Sequence, residues 1–286
     1  MSLTDSVLRA MTNDGAFRIV AARTTDTALE ILRKQKTEEP LSKDLAQLAT
    51  CAVLYRETMA PSHRVQCIVR FENRGGQLIA DSHPDGWTRG LVQTGSEKTA
   101  PDLRKDPALL EMMRTLPNGD LHRSIVRMPE SGNLSEAFMS YMQQSEQVVS
   151  MISLGASTAS EPLACGGFVV QLLPEAKEAE AAMAVMTERL EDFVDVTERL
   201  QRSDANPSEL VEAIFDGMPF TWLHESEIRF GCQCSRVRVM ASLSTLARDD
   251  IQELIEDRKP LDLSCEYCGT VYVVEVAHLQ GLLATS

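Results

Sequence analysis

The chain has 286 residues, a formal net charge of −14 at neutral pH and 43% hydrophobic residues. The acidic balance disfavours binding to nucleic acid or to anionic membranes, which requires a basic surface. No stretch approaches the roughly 18 apolar residues that span a bilayer, and the first five residues lack the features of a secretory leader. The odd total of seven cysteines argues against an extracellular disulfide framework, so a cytoplasmic protein is expected.

The pattern of the chain predicts an α+β protein of three parts, and the first part is a mixed α/β core domain at residues 1–174. Helical spacing predicts an amphipathic helix at Leu41–Thr58. Asn133 with Glu136 resembles a capping box that opens a helix reaching Gln147. Apolar and alternating runs predict strands at Phe17–Ala22, Val65–Phe71, Gln77–Ala80, Asp120–Met128, Val148–Leu154 and Phe168–Leu173. Before the last of these, Gly166-Gly167 indicates a bulge or close packing.

The second part, residues 175–228, is predicted to be a helical linker. Residues 175–200 contain no proline or glycine after Pro174 and predict one long helix with a single apolar stripe and acidic other faces. A shorter helix should follow, with Asn206 as its cap and Pro207 in its first turn. Because helical propensity alone leaves such a segment marginally stable, the stripe must dock on another surface. The stripe consists of Ala179, Met183, Met186, Leu190, Phe193, Thr197 and Leu200.

The third part, residues 229–286, contains two closely spaced cysteine pairs. Cys232 and Cys234 form a C-x-C pair, Cys265 and Cys268 form a C-x-x-C pair, and residues 235–264 separate them. Each pair supplies two sulfurs from one tight turn, which is what a tetrahedral zinc site needs. The insert predicts helices at Arg236–Leu246 and from Asp249, and a strand is expected at Thr270–Val276. We therefore expect one Zn²⁺ held by the four thiolates, with backbone N–H groups or Arg236 or Arg238 stabilising its negative charge.

A zinc site made of four thiolates also suggests a redox switch. It leaves no open coordination position, which disfavours hydrolytic catalysis and favours a protein that is not an enzyme. Oxidants attack thiolates, and each cysteine has a partner one or three positions away. Oxidation should therefore form Cys232–Cys234 and Cys265–Cys268 bridges, release the metal and unfold the small domain, which exposes whatever packs against it.

Three other interpretations of the cysteines are open. The four thiols could be unligated, since free cysteine is often buried. The C-x-x-C pair could be a redox dithiol, although Gly269 and a β-rich run follow it rather than a helix. The region could also be a zinc ribbon that binds nucleic acid or protein, with a small basic patch at Arg229, Arg236 and Arg238. Cys51, Cys67 and Cys165 are expected to be buried structural cysteines, and the five histidines lack metal-ligand spacing.

The cysteine pattern resembles the zinc domain of the 33 kDa chaperonin family, the redox-regulated heat-shock holdases. The matching residues are Cys232-Gln233-Cys234-Ser235 and Cys265-Glu266-Tyr267-Cys268, with the insert between them. Upstream, Tyr141 with Ser145-Glu146-Gln147 is similar to a core signature of the family. Gly166-Gly167 with Gln171 and Pro174, and the Arg-Gly turn in Trp87-Thr88-Arg89-Gly90, also resemble family features. The likeness runs over nearly the whole chain in the right order.

This resemblance implies a cytoplasmic chaperone that holds one zinc while reduced and inactive. It implies zinc-ligand and redox-disulfide roles for Cys232, Cys234, Cys265 and Cys268. Oxidants, often with heat, would release the metal and unfold the zinc domain and the linker. The activated form would then dimerise and bind unfolded or partly folded client proteins without ATP.

Overall fold

The computed structural model describes residues 4–73, 75–95, 100–116, 118–158, 163–176, 178–202 and 205–284. The chain divides into two compact units, Met1–Gly231 and Cys232–Ser286. The three-part division stays a prediction. Residues 1–3 of the predicted core domain and residue 177 of the predicted linker helix lie outside the described residues. No helix in the described ranges is long and apolar enough to cross a membrane.

The first unit is built from two sheets and the helices around them. Its strands are β1 (Ser6–Thr12), β2 (Phe17–Arg23), β3 (Arg64–Phe71), β4 (Gly76–Ser82), β5 (Trp87–Thr94), β6 (Ala108–Thr115), β7 (Leu121–Arg127), β8 (Ser150–Ser157), β9 (Ala164–Leu172), β10 (Phe220–Glu227) and β11 (Arg229–Phe230). Its α-helices are α1 (Thr25–Gln35), α2 (Leu41–Thr58), α3 (Leu134–Tyr141), α4 (Ala179–Leu190), α5 (Thr197–Leu200) and α6 (Pro207–Ile214). A π-helical turn lies at Met142–Glu146 and a 3₁₀ turn at Glu191–Phe193.

Helix α2 lies between the two sheets. The five-stranded sheet has the order β10-β1-β2-β9-β8, and the six-stranded sheet has the order β11-β5-β4-β3-β6-β7. Because α2 contacts strands of both sheets, most of its residues are buried, including Asp44 and Arg56, while Lys43 is exposed and Gln47 is half-buried. The prediction of an amphipathic helix at Leu41–Thr58 had the right bounds, but far more of the helix is buried than a single apolar stripe.

Most of the predicted elements of the core are confirmed with small shifts at their ends. The predicted strands correspond to β2, β3, β4, β7, β8 and β9. The side chain of Asn133 accepts hydrogen bonds from the backbone N–H groups of Ser135 and Glu136, which confirms the helix start. The family-like Arg89-Gly90 dipeptide lies within β5 rather than in a turn. A Cβ on Gly90 would come within 2.7 Å of Ile31 on α1, so this strand needs glycine there.

The linker forms an apolar layer on the five-stranded sheet. Met186, Leu190, Phe193 and Leu200 of the predicted stripe are buried, together with Val196, which the stripe did not include. They form one apolar cluster with sheet residues that include Phe17, Ile19, Phe168 and Val170. The prediction that the stripe docks on another surface is therefore confirmed. The last part of the predicted helical linker is instead β10, which pairs with β1.

The prediction of one long helix at residues 175–200 is wrong, because the helix breaks after Leu190. Ser153 on β8 donates a hydrogen bond to the carbonyl of Val194 at 3.0 Å, and the Asp195 carboxylate accepts one from the Thr197 N–H at 2.9 Å. These bonds replace helical ones and restart the chain as α5. The break turns Val196 and Leu200 onto the sheet beside Phe193.

Two glycines allow this close approach. A Cβ on Gly155 would lie 2.8 Å from a methyl group of Val196, and a Cβ on Gly166 would lie 2.9 Å from a methyl group of Leu200. Gly166 would also meet the Ala22 carbonyl oxygen at 2.4 Å. Of the two alternatives predicted for Gly166-Gly167, close packing is the one observed.

The second unit is small. It contains α7 (Arg236–Leu243), α8 (Arg248–Glu256), α9 (Val276–Ala284) and a hairpin of β12 (Leu261–Ser264) and β13 (Val271–Val274). The two predicted helices and the predicted strand are confirmed as α7, α8 and β13. The buried core of the unit consists of Leu243, Ile251, Val274 and Leu279, with partly buried apolar residues of the helices and the hairpin packed against it. A core of this size supplies little hydrophobic stabilisation, so the fold of this unit needs another source of stability.

We expect Phe193→Ala to destabilise the linker layer. Phe193 is buried, packs edge-to-face on Phe168 with ring centroids 6.2 Å apart, and is covered by Arg199. Removing such a ring should lower the free energy of unfolding by about 3 kcal/mol in urea denaturation. The neighbouring Val194 is 77% exposed, so Val194→Ala should cost no more than about 0.5 kcal/mol. Equal costs for the two variants would contradict the docking of this segment.

Candidate metal centre

The four cysteines of the two pairs come together in the second unit. Cys232 and Cys234 precede α7, whose start is fixed by Ser235, because its side chain accepts a hydrogen bond from the Arg238 N–H. Cys265 and Cys268 lie in the turn between β12 and β13. The hairpin closes this turn through hydrogen bonds between the backbones of Cys265 and Thr270 and of Gly269 and Cys265, with Gly269 at a φ of +73°.

The sulfur positions fit a tetrahedral metal ion. All four Sγ atoms lie within 4.8 Å of one another. Cys232 Sγ is 3.6 Å from Cys265 Sγ, and Cys234 Sγ is 3.4 Å from Cys268 Sγ. A tetrahedron with Zn–S bonds of about 2.3 Å has sulfurs roughly 3.8 Å apart. These four cysteines could therefore hold a metal ion, and an all-sulfur donor set favours soft or borderline ions such as zinc over magnesium or calcium.

Hydrogen bonds to sulfur come from the hairpin. The hydroxyl of Tyr272 on β13 donates to Cys234 Sγ at 3.1 Å, and Thr270 Oγ1 lies 3.2 Å from Cys268 Sγ. Backbone N–H groups also reach Cys265 Sγ and Cys268 Sγ, as the sequence analysis expected for a charged sulfur cluster. Arg236 instead contacts the His278 ring at 3.2 Å, and Arg238 donates to Gln233. Tyr272 and Thr270 were not singled out from the sequence, since only the hairpin register turns them towards the sulfurs.

Without a cation, the four thiols cannot all be ionised. Burial and the neighbouring sulfurs raise the pKa of Cys265 to about 12, and burial also raises the pKa of Cys234. Burial acts in the same direction on Cys268, but hydrogen bonds from Thr270 and the neighbouring thiols outweigh it and lower the pKa of Cys268 to about 6. One sulfur of the metal-free quartet is thus a thiolate at neutral pH, and it can begin metal capture.

The other candidate residues lie elsewhere. Cys51, Cys67 and Cys165 are fully buried in the first unit, which confirms the prediction of buried cysteines. Trp222 lies on β10, is 43% exposed and packs edge-to-face on Phe220. The C-x-x-C pair precedes β13 rather than opening a helix, which is not the setting of a thioredoxin-like dithiol.

We expect zinc affinity to rise steeply with pH. Ligands bind as thiolates, so each protonated thiol must release a proton when metal binds. The pKa values of Cys234 and Cys265 are both raised, so both are protonated near neutrality and their two protons oppose binding. These two protons alone should make the apparent affinity increase by at least about a hundredfold from pH 7 to pH 8. Cys268 should add little, since it is already ionised. Competition with a chromophoric chelator measures this, and an affinity independent of pH would contradict it.

Comparison with known proteins places the chain in a family. A sequence profile described as "Hsp33 protein" matches residues 5–275. The 33 kDa chaperonin of Syntrophotalea carbinolica is 28% identical over 99% of this chain and 100% of its own length. The 33 kDa chaperonin of Synechocystis is 27% identical, with 98% of this chain and 96% of that protein covered. The 33 kDa chaperonin of Geobacter sulfurreducens is 29% identical, with 94% of this chain and 92% of that protein covered.

The fold is also that of a solved structure. The crystal structure of the 33 kDa chaperonin of Thermotoga maritima, a heat shock protein 33 homologue, superimposes with a TM-score of 0.85. The match covers 99% of both chains at 20% identity and therefore compares the fold alone. Because the sequence profile spans nearly the whole chain, this protein belongs to the Hsp33 family.

Proposed function

We propose that this protein is a redox-regulated, ATP-independent holdase chaperone that binds unfolding proteins under oxidative stress. The observation that carries the proposal is the quartet of cysteine sulfurs within 4.8 Å of one another in a unit with a very small core. Membership of the Hsp33 family supports a chaperone function. The protein acts by binding clients in the cytoplasm and not as an enzyme.

In the reduced state, Cys232, Cys234, Cys265 and Cys268 are the ligands of one Zn²⁺. A bound zinc ion would keep all four sulfurs ionised and join the turn before α7 to the β12–β13 hairpin. Structural zinc can contribute on the order of 10 kcal/mol to the folding of a small domain. The four buried residues of the second unit supply little by comparison, so its fold depends on the metal.

Oxidation removes the ligands in pairs. A thiolate displaces hydroxide from hydrogen peroxide and becomes a sulfenic acid, and a neighbouring thiol then condenses with it and releases water. The net reaction turns two thiols and one peroxide into one disulfide and two waters. The proposed bridges are Cys232–Cys234 and Cys265–Cys268. Peptide mapping distinguishes them from bridges between the pairs, whose sulfurs are also close.

Loss of the metal site activates the protein by freeing the linker. The linker layer covers an apolar face of the five-stranded sheet that includes Phe17, Ile19, Phe168 and Val170. Its own side chains include Met183 and Met186, whose flexible thioethers suit the binding of varied apolar segments. When the linker unfolds, both surfaces become available to unfolded or partly folded clients. The activated protein is a homodimer.

Hydrogen peroxide at elevated temperature should release one zinc per chain and give activity. We expect thiol titration to show four thiols lost, and the treated protein to suppress aggregation of a chemically denatured client without ATP. Cys165→Ala is a matched control because Cys165 is buried in the first unit, and this variant should respond as the parent does. Zinc release without any suppression of aggregation would refute the switch.

Gly155→Ala should lower the temperature at which the protein becomes active, without any change to the cysteines. The added Cβ would lie within about 3 Å of Val196, Thr197 and Leu200, so it should loosen α5 from the sheet. We expect this variant to suppress aggregation at a lower temperature than the parent while it retains its zinc. Gly281→Ala on α9 is the control, since its Cβ meets nothing within 4 Å. An unchanged threshold for Gly155→Ala would show that linker docking does not hold the protein inactive.

A further inference from the structure

The solvent-facing surface of β3, β6 and β7 carries arginines around a buried carboxylate. Helices α1 and α2 pack on the opposite face of the six-stranded sheet, where Val65, Cys67 and Val69 of β3 are buried. Since side chains alternate along a strand, Arg70 points to the other face. The strand register places Glu111 of β6 directly opposite Ile125 of β7 and diagonal to Arg123 and Arg127. We call Arg70, Arg123, Arg127, Leu121 and Ile125 the β7 surface.

Glu111 organises these arginines. It is almost fully buried, accepts a hydrogen bond from Arg70 Nε at 2.8 Å and pairs with Arg123 on its other oxygen. The two arginines hold the pKa of Glu111 below its usual range, although burial opposes this. Because one carboxylate is shared by two guanidinium groups, the group has an excess positive charge. Arg70 and Arg123 are 46% and 53% exposed, so that charge reaches solvent.

A further arginine lies along β7, and a second group with excess positive charge lies on the same face. Arg127 is 68% exposed and pairs with Glu72 at the end of β3. A second triad lies on the same face, in which Asp81 of β4 is hydrogen-bonded by Arg64 of β3 and Arg89 of β5. A chain with a net charge of −14 therefore has one sheet face on which arginines outnumber carboxylates. Such a face attracts acidic groups, and the rest of the acidic protein repels them.

Strand β7 combines this charge with a position at the edge of its sheet and with exposed apolar residues, while α3 contacts the strand and Ser124, on the face opposite Ile125, bonds to Ser145. In the described part of the chain, β7 is the terminal strand and pairs with β6. Leu121 and Ile125 are 64% and 45% exposed and alternate with Arg123 and Arg127 on the same face. An exposed edge strand can pair with a further extended segment, whose alternate side chains then lie beside those of the edge.

We propose that β7 binds an extended acidic polypeptide segment by strand addition. The matching segment has aliphatic and acidic residues at alternate positions of one face, so that the aliphatic side chains lie beside Leu121 and Ile125 and the acidic ones beside Arg123 and Arg127. A single-stranded nucleic acid fits less well, because bases require aromatic platforms and this surface is aliphatic. The site is formed in the reduced protein and does not depend on oxidation.

The experiment measures peptide binding to the reduced, zinc-loaded protein by fluorescence anisotropy. The probe is a short labelled peptide in which every second residue is threonine and the positions between are alternately valine and glutamate. A second peptide carries lysine in place of glutamate. We expect only the acidic peptide to bind, with protection of the amides of residues 121–127 from hydrogen exchange. The variant Arg70→Gln/Arg127→Gln should bind at least about tenfold more weakly. This variant leaves Glu111 paired with Arg123, so we expect the protein to stay folded. Thermal melting of the variant tests this.

A variant matched in charge tests whether the effect is local. Arg33→Gln/Lys105→Gln removes two exposed cations that pair with Glu30 and Asp102, and it should bind the acidic peptide as the parent does. Equal weakening in both variants would overturn the proposal, as would equal binding of both peptides or protection away from β7. Absence of peptide binding would mean that the arginines only guard the edge. Polyuridylate binding without peptide binding would assign the surface to nucleic acid instead. None of these outcomes depends on chaperone activity.

Discussion

Charge repulsion among four sulfurs is the constraint on which the second unit depends. Sulfurs within 4.8 Å of one another can all be thiolates only around a cation. Without a cation, Cys265 stays protonated at neutral pH because its pKa is raised. Hydrogen bonds donated by the Tyr272 hydroxyl and the Thr270 backbone N–H stabilise negative charge on single sulfurs and cannot offset four. A metal ion bound by the four sulfurs would hold the hairpin and α7 together, and an oxidant of thiolates would remove that link, for which the few buried residues of this unit offer little replacement.

The linker layer in the first unit is stabilised by apolar packing on the sheet. Its short helices are too short to be stable alone, so they persist because their apolar side chains lie on the five-stranded sheet. The chain runs from α6 through β10 and β11 directly into Cys232. Under the proposed function, this marginally stable layer would respond to changes in the cysteine-containing unit because the two are covalently continuous. Under the same proposal, the apolar side chains that hold the layer in place would become the binding surface once the layer separates from the sheet.

Local signals predicted local structure well. The Asn133 and Asn206 caps, the cysteine pairs and the strand alternation around Cys67 concern residues only a few positions apart, and their consequences are visible in the sequence. The failures all involve distant partners. Helix α2 was taken as one-sided because periodicity cannot reveal a second sheet, and β10 was missed because it pairs with β1 at the other end of the unit. The break after Leu190 depends on Ser153, which only the fold brings to Val194.

The arginines of the β7 surface belong to the same class of feature, because Arg70 of β3 and Arg123 of β7 share Glu111 only after three strands align. On an edge strand, such charges oppose pairing with basic or neutral chains. In a protein with a net charge of −14 they also create a surface that is complementary to acidic segments. The apolar face under the linker would select clients by exposed hydrophobic residues and only after a transition. The edge of β7 would select segments by their charge and by the alternation of their side chains, and it would need no prior transition. The two surfaces therefore need not compete for the same segments.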